Sequence, residues 1–182
     1  GTALYSPASP VSYNDQNLWH FDAVAREQNR GAGDTALIHA ILQTGDRHSP
    51  ILGYALDGYP IYGPFGFDDS GKVRRMRSSY RLRSGTKRNS WADGTELAPW
   101  QAGPDISSFA PAGTFVEDYE YVPGSGDLDE SNARFAATPE YPEGTWAYFL
   151  ATDESGSLAY PYAVGPVFRG QVEMEPEAQQ GP

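Results

Sequence analysis

Ser49 to Gly66 reads Ser-Pro-Ile-Leu-Gly-Tyr-Ala-Leu-Asp-Gly-Tyr-Pro-Ile-Tyr-Gly-Pro-Phe-Gly, and no other stretch leaves the backbone so few choices. Two apolar runs are joined by Asp57-Gly58 and closed by Gly63-Pro64. Asp-Gly between alternating apolar residues signals a hairpin, because a two-residue turn of the primed type needs positive φ and glycine supplies it without steric cost. The expectation is a pair of strands, Ile51 to Leu56 and Tyr59 to Tyr62, turning at Asp57-Gly58. Pro60 has no amide donor and is assigned to an edge or a bulge.

A chain of 182 residues is within the range of one domain. With 13 per cent aromatics, 20 Gly and 15 Pro, it points away from a helical bundle and toward short strands and tight turns. The fold class expected is mainly β, an antiparallel sheet or β-sandwich with one or two short helices and long loops. Residues 1-16 read as an extended N-terminal arm, 17-170 as a single β-rich domain and 171-182 as an acidic flexible tail. The best helix runs from Thr35 to Thr44, with Asp34 as N-cap, Gly45 as stop and Leu37, Ile38, Ile41 and Leu42 on one face. Asp22 is a candidate cap for a short helical turn through Ala23, Val24 and Ala25. Further strands are expected over Leu18 to Phe21, Met76 to Arg83, Thr114 to Val122, Trp146 to Ala151 and Tyr160 to Phe168. Ser84 to Gly113 is a long polar region for Trp91, Trp100 and Phe109 to pin down.

Charge is unevenly spread. Lys72 to Arg88 holds eight basic residues and no acid, so the rest of the chain carries −19 within a total of −11. The densest acidic stretch is Glu117 to Glu130. Most of the surface would repel phosphate, which argues against nucleic acid as a partner. A basic strand facing an acidic one, within the molecule or between copies, is the expected arrangement, with acidic surface glycans as the alternative target for Arg74, Arg75, Arg77, Arg81 and Arg83. There is no cysteine and no run of the roughly 18 apolar residues a membrane span needs. The chain starts at Gly1 without a charged-then-apolar leader, which fits a processed protein, secreted or at the cell surface.

His48-Ser49-Pro50-Ile51-Leu52-Gly53 followed by Asp57-Gly58-Tyr59-Pro60-Ile61-Tyr62-Gly63-Pro64 resembles the core of the YHYH domain family. The resemblance continues through Met76 to Arg83, Glu117 to Tyr121, Leu128-Asp129-Glu130, Thr138-Pro139-Glu140-Tyr141-Pro142, Gly144 to Phe149 and Tyr160-Pro161-Tyr162, in the family's order. It implies a secreted β-rich domain and no particular activity. Two departures stand out. The positions equivalent to the signature Tyr-His-Tyr-His are Ala36, Leu37, Ile38 and His39, and Ser131 stands where relatives often carry cysteine.

All three histidines, His20, His39 and His48, lie in the first 50 residues, with Asp57 close by in sequence. Imidazole and carboxylate together suit zinc or another transition metal with an open position, although the spacing matches no known ligand pattern. The bland reading of each histidine is a hydrogen-bonded residue beside the core; His48 is the least bland because it abuts the strongest motif. Asp127, Asp129 and Ser131 place oxygens at alternate positions, as the opening of a calcium loop does, but the glycine and bidentate glutamate of an EF-hand are missing. A solvated acidic turn is the plain alternative. Glu140 and Glu143 could form a carboxylate pair of the glycosidase kind, which sequence cannot place at a working separation. No Gly-x-Ser-x-Gly elbow, phosphate-cradling loop or dinucleotide fingerprint occurs.

Two functions from different classes follow. The first is a β-rich binding or structural module, stabilised by a divalent cation with calcium favoured over zinc or copper, without an organic cofactor, that self-assembles through edge strands or engages surface glycans. The second is a metal-dependent hydrolase or oxidoreductase built on His20, His39, His48 and Asp57.

Overall fold

The computed structural model describes residues 12–14, 16, 18–22, 45–85 and 87–172. The helix expected at 35–44, His39 and the signature positions beside it, the turn at 23–25, and nearly all of the arm and the tail lie outside the described residues. Within them the chain is mainly β. In order come β1 (Ile51–Tyr54), β2 (Pro60–Tyr62), β3 (Phe65–Phe67), β4 (Val73–Arg75), β5 (Tyr80–Leu82), a 3₁₀ turn (Val116–Asp118), β6 (Tyr119–Tyr121), β7 (Ala133–Ala136) and β8 (Thr145–Phe149). No helix among the described residues is long and apolar enough to cross a membrane.

The main sheet has the order β1-β2-β8-β7, antiparallel at both flanks and parallel where β2 meets β8. Two antiparallel pairs, β3 with β4 and β5 with β6, complete the architecture. Strand β8 is central, and its alternation serves both faces. Tyr148 packs on one side with Ala133, Leu150, Ala163 and Val164, while Ala147 and Phe149 pack on the other with Tyr62, Met76 and Leu128. Each large apolar side chain sealed this way contributes about 1.5–3 kcal/mol. Trp19, Ala110 and Phe115 form a separate cluster, flanked by Phe21, Trp91 and Leu97.

The hairpin is present with a different turn. Gly58 N–H donates to Ala55 O and Ala55 N–H to Tyr59 O, which makes Leu56-Asp57-Gly58 a three-residue loop. Gly58 has φ of 82° and Asp57 is not among the positive-φ residues. A primed turn would need positive φ at both, so the chain uses a turn followed by a glycine bulge. Pro60 opens an internal strand rather than an edge. Pairing of β2 with β8 begins at Ile61, so the missing donor interrupts no bond there.

Three other strand expectations are corrected. Met76 to Arg83 is broken between β4 and β5, because Ser79 Oγ donates to Leu128 O and Met76 N–H to Pro64 O, carrying the chain from one sheet to the next. Thr114 to Val122 is a strand only from Tyr119. Asp118 turns inward instead, where its carboxylate accepts from Arg88 and from the backbone N–H groups of Gly113 and Phe115. The segment 160–168 is buried at Tyr160 to Gly165 yet forms no strand, with Tyr162 at φ of 69° and prolines at 161 and 166 removing donors. The long loop is pinned by Trp91 against Trp19 and by the Arg88–Asp118 pair, whereas Trp100 and Phe109 are exposed.

Candidate functional site

The stretch His48-Ser49 enters the main sheet as a clamp. Ser49 N–H donates to Phe65 O at 2.8 Å and Phe65 N–H donates to Ser49 Oγ at 3.0 Å. That fixes the His48 ring against Tyr62 and Phe67, each with centroids 4.8 Å away, and Phe149 at 6.0 Å. His48 Nδ1 lies 2.8 Å from Ser49 O, and a carbonyl only accepts, so Nδ1 carries the proton. Burial pushes the imidazole below its ordinary value, against opposing pulls from the Ser49 bond and the Glu140 charge. The ring is therefore neutral near pH 7, with its lone pair on Nε2. That atom is buried and, among the described residues, has no hydrogen-bond partner.

Beside it, Tyr62 Oη lies 2.9 Å from both Thr138 Oγ1 and Glu140 Oε2. The carboxylate can only accept, so the phenol donates to Glu140 and receives the Thr138 proton, while Thr138 Oγ1 accepts from Tyr141 N–H at 3.1 Å. Burial pushes the Tyr62 phenol well above its usual range, and the bonded Glu140 adds to the shift. At the rim the neighbouring Tyr141 hydroxyl raises the Tyr54 phenol. His48, Tyr62 and Thr138 with Glu140 come from three separate stretches of the sequence, and all three belong to the motifs that carry the family resemblance. Tyr62 and Thr138 were missed as site residues, and Glu140, considered only as a carboxylate pair with Glu143, is instead bonded to Tyr62. The available signal was the placement of a hydroxyl and a carboxylate inside the Thr-Pro-Glu-Tyr-Pro motif.

The other residues singled out go elsewhere. His20 Nδ1 lies 2.6 Å from Glu117 Oε1, and its backbone N–H donates to Glu117 Oε2. Asp57 Oδ2 accepts from Tyr148 Oη at 2.5 Å and from Gly170 N–H at 2.9 Å, tying the hairpin tip to β8 and to Gly170. His39 lies outside the described residues. Among the described residues, no three His, Asp or Glu side chains converge as a metal site would require.

The oxygens expected to open a calcium loop also diverge. Asp127 takes both guanidinium nitrogens of Arg74 at 2.7 Å, as well as Arg77 N–H at 2.9 Å. Burial works against its charge, and the arginine contacts outweigh it, holding the carboxyl below its usual range. Asp129 Oδ1 accepts from the N–H groups of Ser131 and Ala133. Ser131 is buried, and Asn132 beside it donates to Phe149 O and Ala163 O, so this stretch brackets the sheet.

The basic run faces the acidic stretch within the molecule. Arg81 is opposite Glu120 in the β5–β6 register, with Nε to Oε1 at 2.8 Å. Arg75 donates to Thr152 and Asp153 O, and Arg83 to Glu117 O and Ser90 O.

A family model described as YHYH protein matches residues 4–159. No curated protein and no solved structure matches the chain.

Proposed function

The chain belongs to the YHYH protein family, and from that premise we propose that it is a secreted or cell-surface β-rich binding module whose ligand is held at His48. The observation that carries this reading is the Nε2 of His48, which has no hydrogen-bond partner among the described residues and is buried where the family motifs converge. A buried acceptor without a donor costs about 1–3 kcal/mol. A phenylalanine would fit the same aromatic cage without that cost, so a histidine kept there is explained by something it binds.

A second reading, a metal-dependent enzyme, is favoured by the same ring. A metal-ligating histidine commonly donates its other N–H to a backbone carbonyl, as Nδ1 does to Ser49 O. Self-assembly is supported by the edges of the main sheet, since among the described residues β1 pairs only with β2 and β7 only with β8. Such edges accept an added strand.

Native mass spectrometry of the tag-free chain, purified from the organism that makes it, tests all of this at once. The expected spectrum shows a non-covalent mass increment that disappears in His48→Phe, and the increment itself separates an organic ligand from calcium, zinc or copper. His48→Phe removes the orphan acceptor but also the bond to Ser49 O, so its stability should stay within about 1 kcal/mol of the parent. A bare mass, together with a loss above about 2 kcal/mol in the variant, would make His48 a packing residue and end the proposal. Bare monomers at every concentration would remove self-assembly.

A further inference from the structure

Of the eight basic residues between Lys72 and Arg88, Arg74 and Arg77 share Asp127, Arg81 meets Glu120 and Arg88 meets Asp118. Among the described residues Arg83, like Arg75, forms no ion pair; its guanidinium donates to uncharged oxygens, Glu117 O at 3.2 Å, Ser90 O at 2.7 Å and Ser90 Oγ at 3.3 Å. Lys87 is exposed and forms no ion pair among the described residues. Both line one cavity of about 270 Å³, together with Ser84, Asn89, Ser90 and the apolar Ile106.

One carboxylate, Asp118, also borders this cavity, and its charge is already matched. Oδ1 accepts from Arg88 Nε at 2.6 Å, and Oδ2 accepts from Arg88 Nη2 at 2.8 Å and from Gly113 and Phe115 N–H. Arg88 gives its remaining hydrogens to Pro104 O, Ala110 O and Pro111 O, so the buried pair is saturated and holds the cavity floor rigid. Asp93 feels Arg83 from outside the cavity but is committed to its own turn through Thr95 N–H. What remains facing the cavity is the positive charge of Arg83 and Lys87, with hydroxyls and an amide at the rim.

We propose that this cavity binds an acidic saccharide, with its carboxylate against Lys87 and Arg83 and its hydroxyls on Ser84, Asn89 and Ser90. Two cations with no ion-pair partner among the described residues select an anion. The mixed lining of polar groups and Ile106 suits a sugar ring, which presents hydroxyls at its edge and C–H groups on its face, better than a bare inorganic ion. The site is separate from His48, so it stands or falls without the ligand proposed there.

The test is calorimetric titration of the full chain at low salt with D-glucuronate, D-glucose and inorganic sulfate. Glucuronate should bind, glucose about tenfold more weakly or not at all, and added salt should weaken glucuronate binding. Lys87→Gln should weaken it about fivefold or more, while Arg81→Gln, which removes the same charge from an exposed strand position outside the cavity, should leave it within about twofold. Circular dichroism confirms that both variants are folded. The proposal is overturned if glucuronate does not bind, if glucose or sulfate binds as tightly, or if the two variants lose equally.

Discussion

His48 keeps a lone pair away from water, and that choice gives folding a pH dependence at a single residue. Burial lowers its pKa below the ordinary value near 6.5, so the unfolded chain takes up the proton more readily than the folded one. This contribution to stability is fully present above about pH 6.5 and is lost as pH falls through that value toward the folded pKa. Asp127 acts in the same sense further down. Its folded pKa is depressed, so its contribution is present above the unfolded carboxylate value of about 3.9 and fades as pH falls below it. Urea midpoints at about pH 7.5 and pH 5.5 leave Asp127 out, since it stays charged at both, and comparison with His48→Phe separates His48 from His20 and His39. The parent should lose stability between them, and His48→Phe should lose measurably less. Equal losses would remove His48 as the source.

At the level of elements, β3 lies against β8 through a glycine. A Cβ added to Gly66 would stand 2.7 Å from the Phe149 ring and 3.2 Å from Met76, whereas at Gly53 in β1 it would meet nothing within 4 Å. Gly66→Ala should therefore cost about 1–3 kcal/mol by overpacking. Gly53→Ala should be neutral or slightly stabilising, because glycine is the poorer strand residue by about 0.5–1 kcal/mol. Urea denaturation of both variants checks the contrast, and equal effects would contradict the packing. Neither difference is legible in the sequence, where both are glycines between apolar residues. The hairpin was legible from the local Asp57-Gly58 signal, and the opposite charge runs made legible that a basic strand would face an acidic one, though not which residues meet. What was not legible depended on contacts far along the chain. The alternation at Thr114 to Val122 gave no warning that Asp118 turns inward to Arg88, 30 residues away. The candidate site joins Tyr62 to Glu140 across 78 residues, which no spacing rule reaches.

On the scale of the whole molecule, a chain without disulfides is stitched by phenols hydrogen-bonded to carboxylates. Tyr62 reaches Glu140, Tyr148 reaches Asp57 and Tyr162 reaches Asp22, over separations of 78, 91 and 140 residues. Burial raises all three phenols, reinforced by the carboxylate each one bonds, and it pushes Tyr119 up to about 12. The sign is opposite to that of His48. A phenol whose folded pKa lies above its unfolded value of about 10 contributes stability that is fully present below pH 10 and is lost as pH rises through it. Ionising one in place would set a phenolate against a carboxylate in a dry interior, so these four should keep their protons until the fold opens. Of the 12 tyrosines, these four should then form a late group in an alkaline titration. A second rise in tyrosinate absorbance should coincide with loss of near-ultraviolet circular dichroism above about pH 11 and reverse on return to neutrality. If every phenol ionised in one smooth step near pH 10 with the fold intact, these pairs would not be holding the distant segments together.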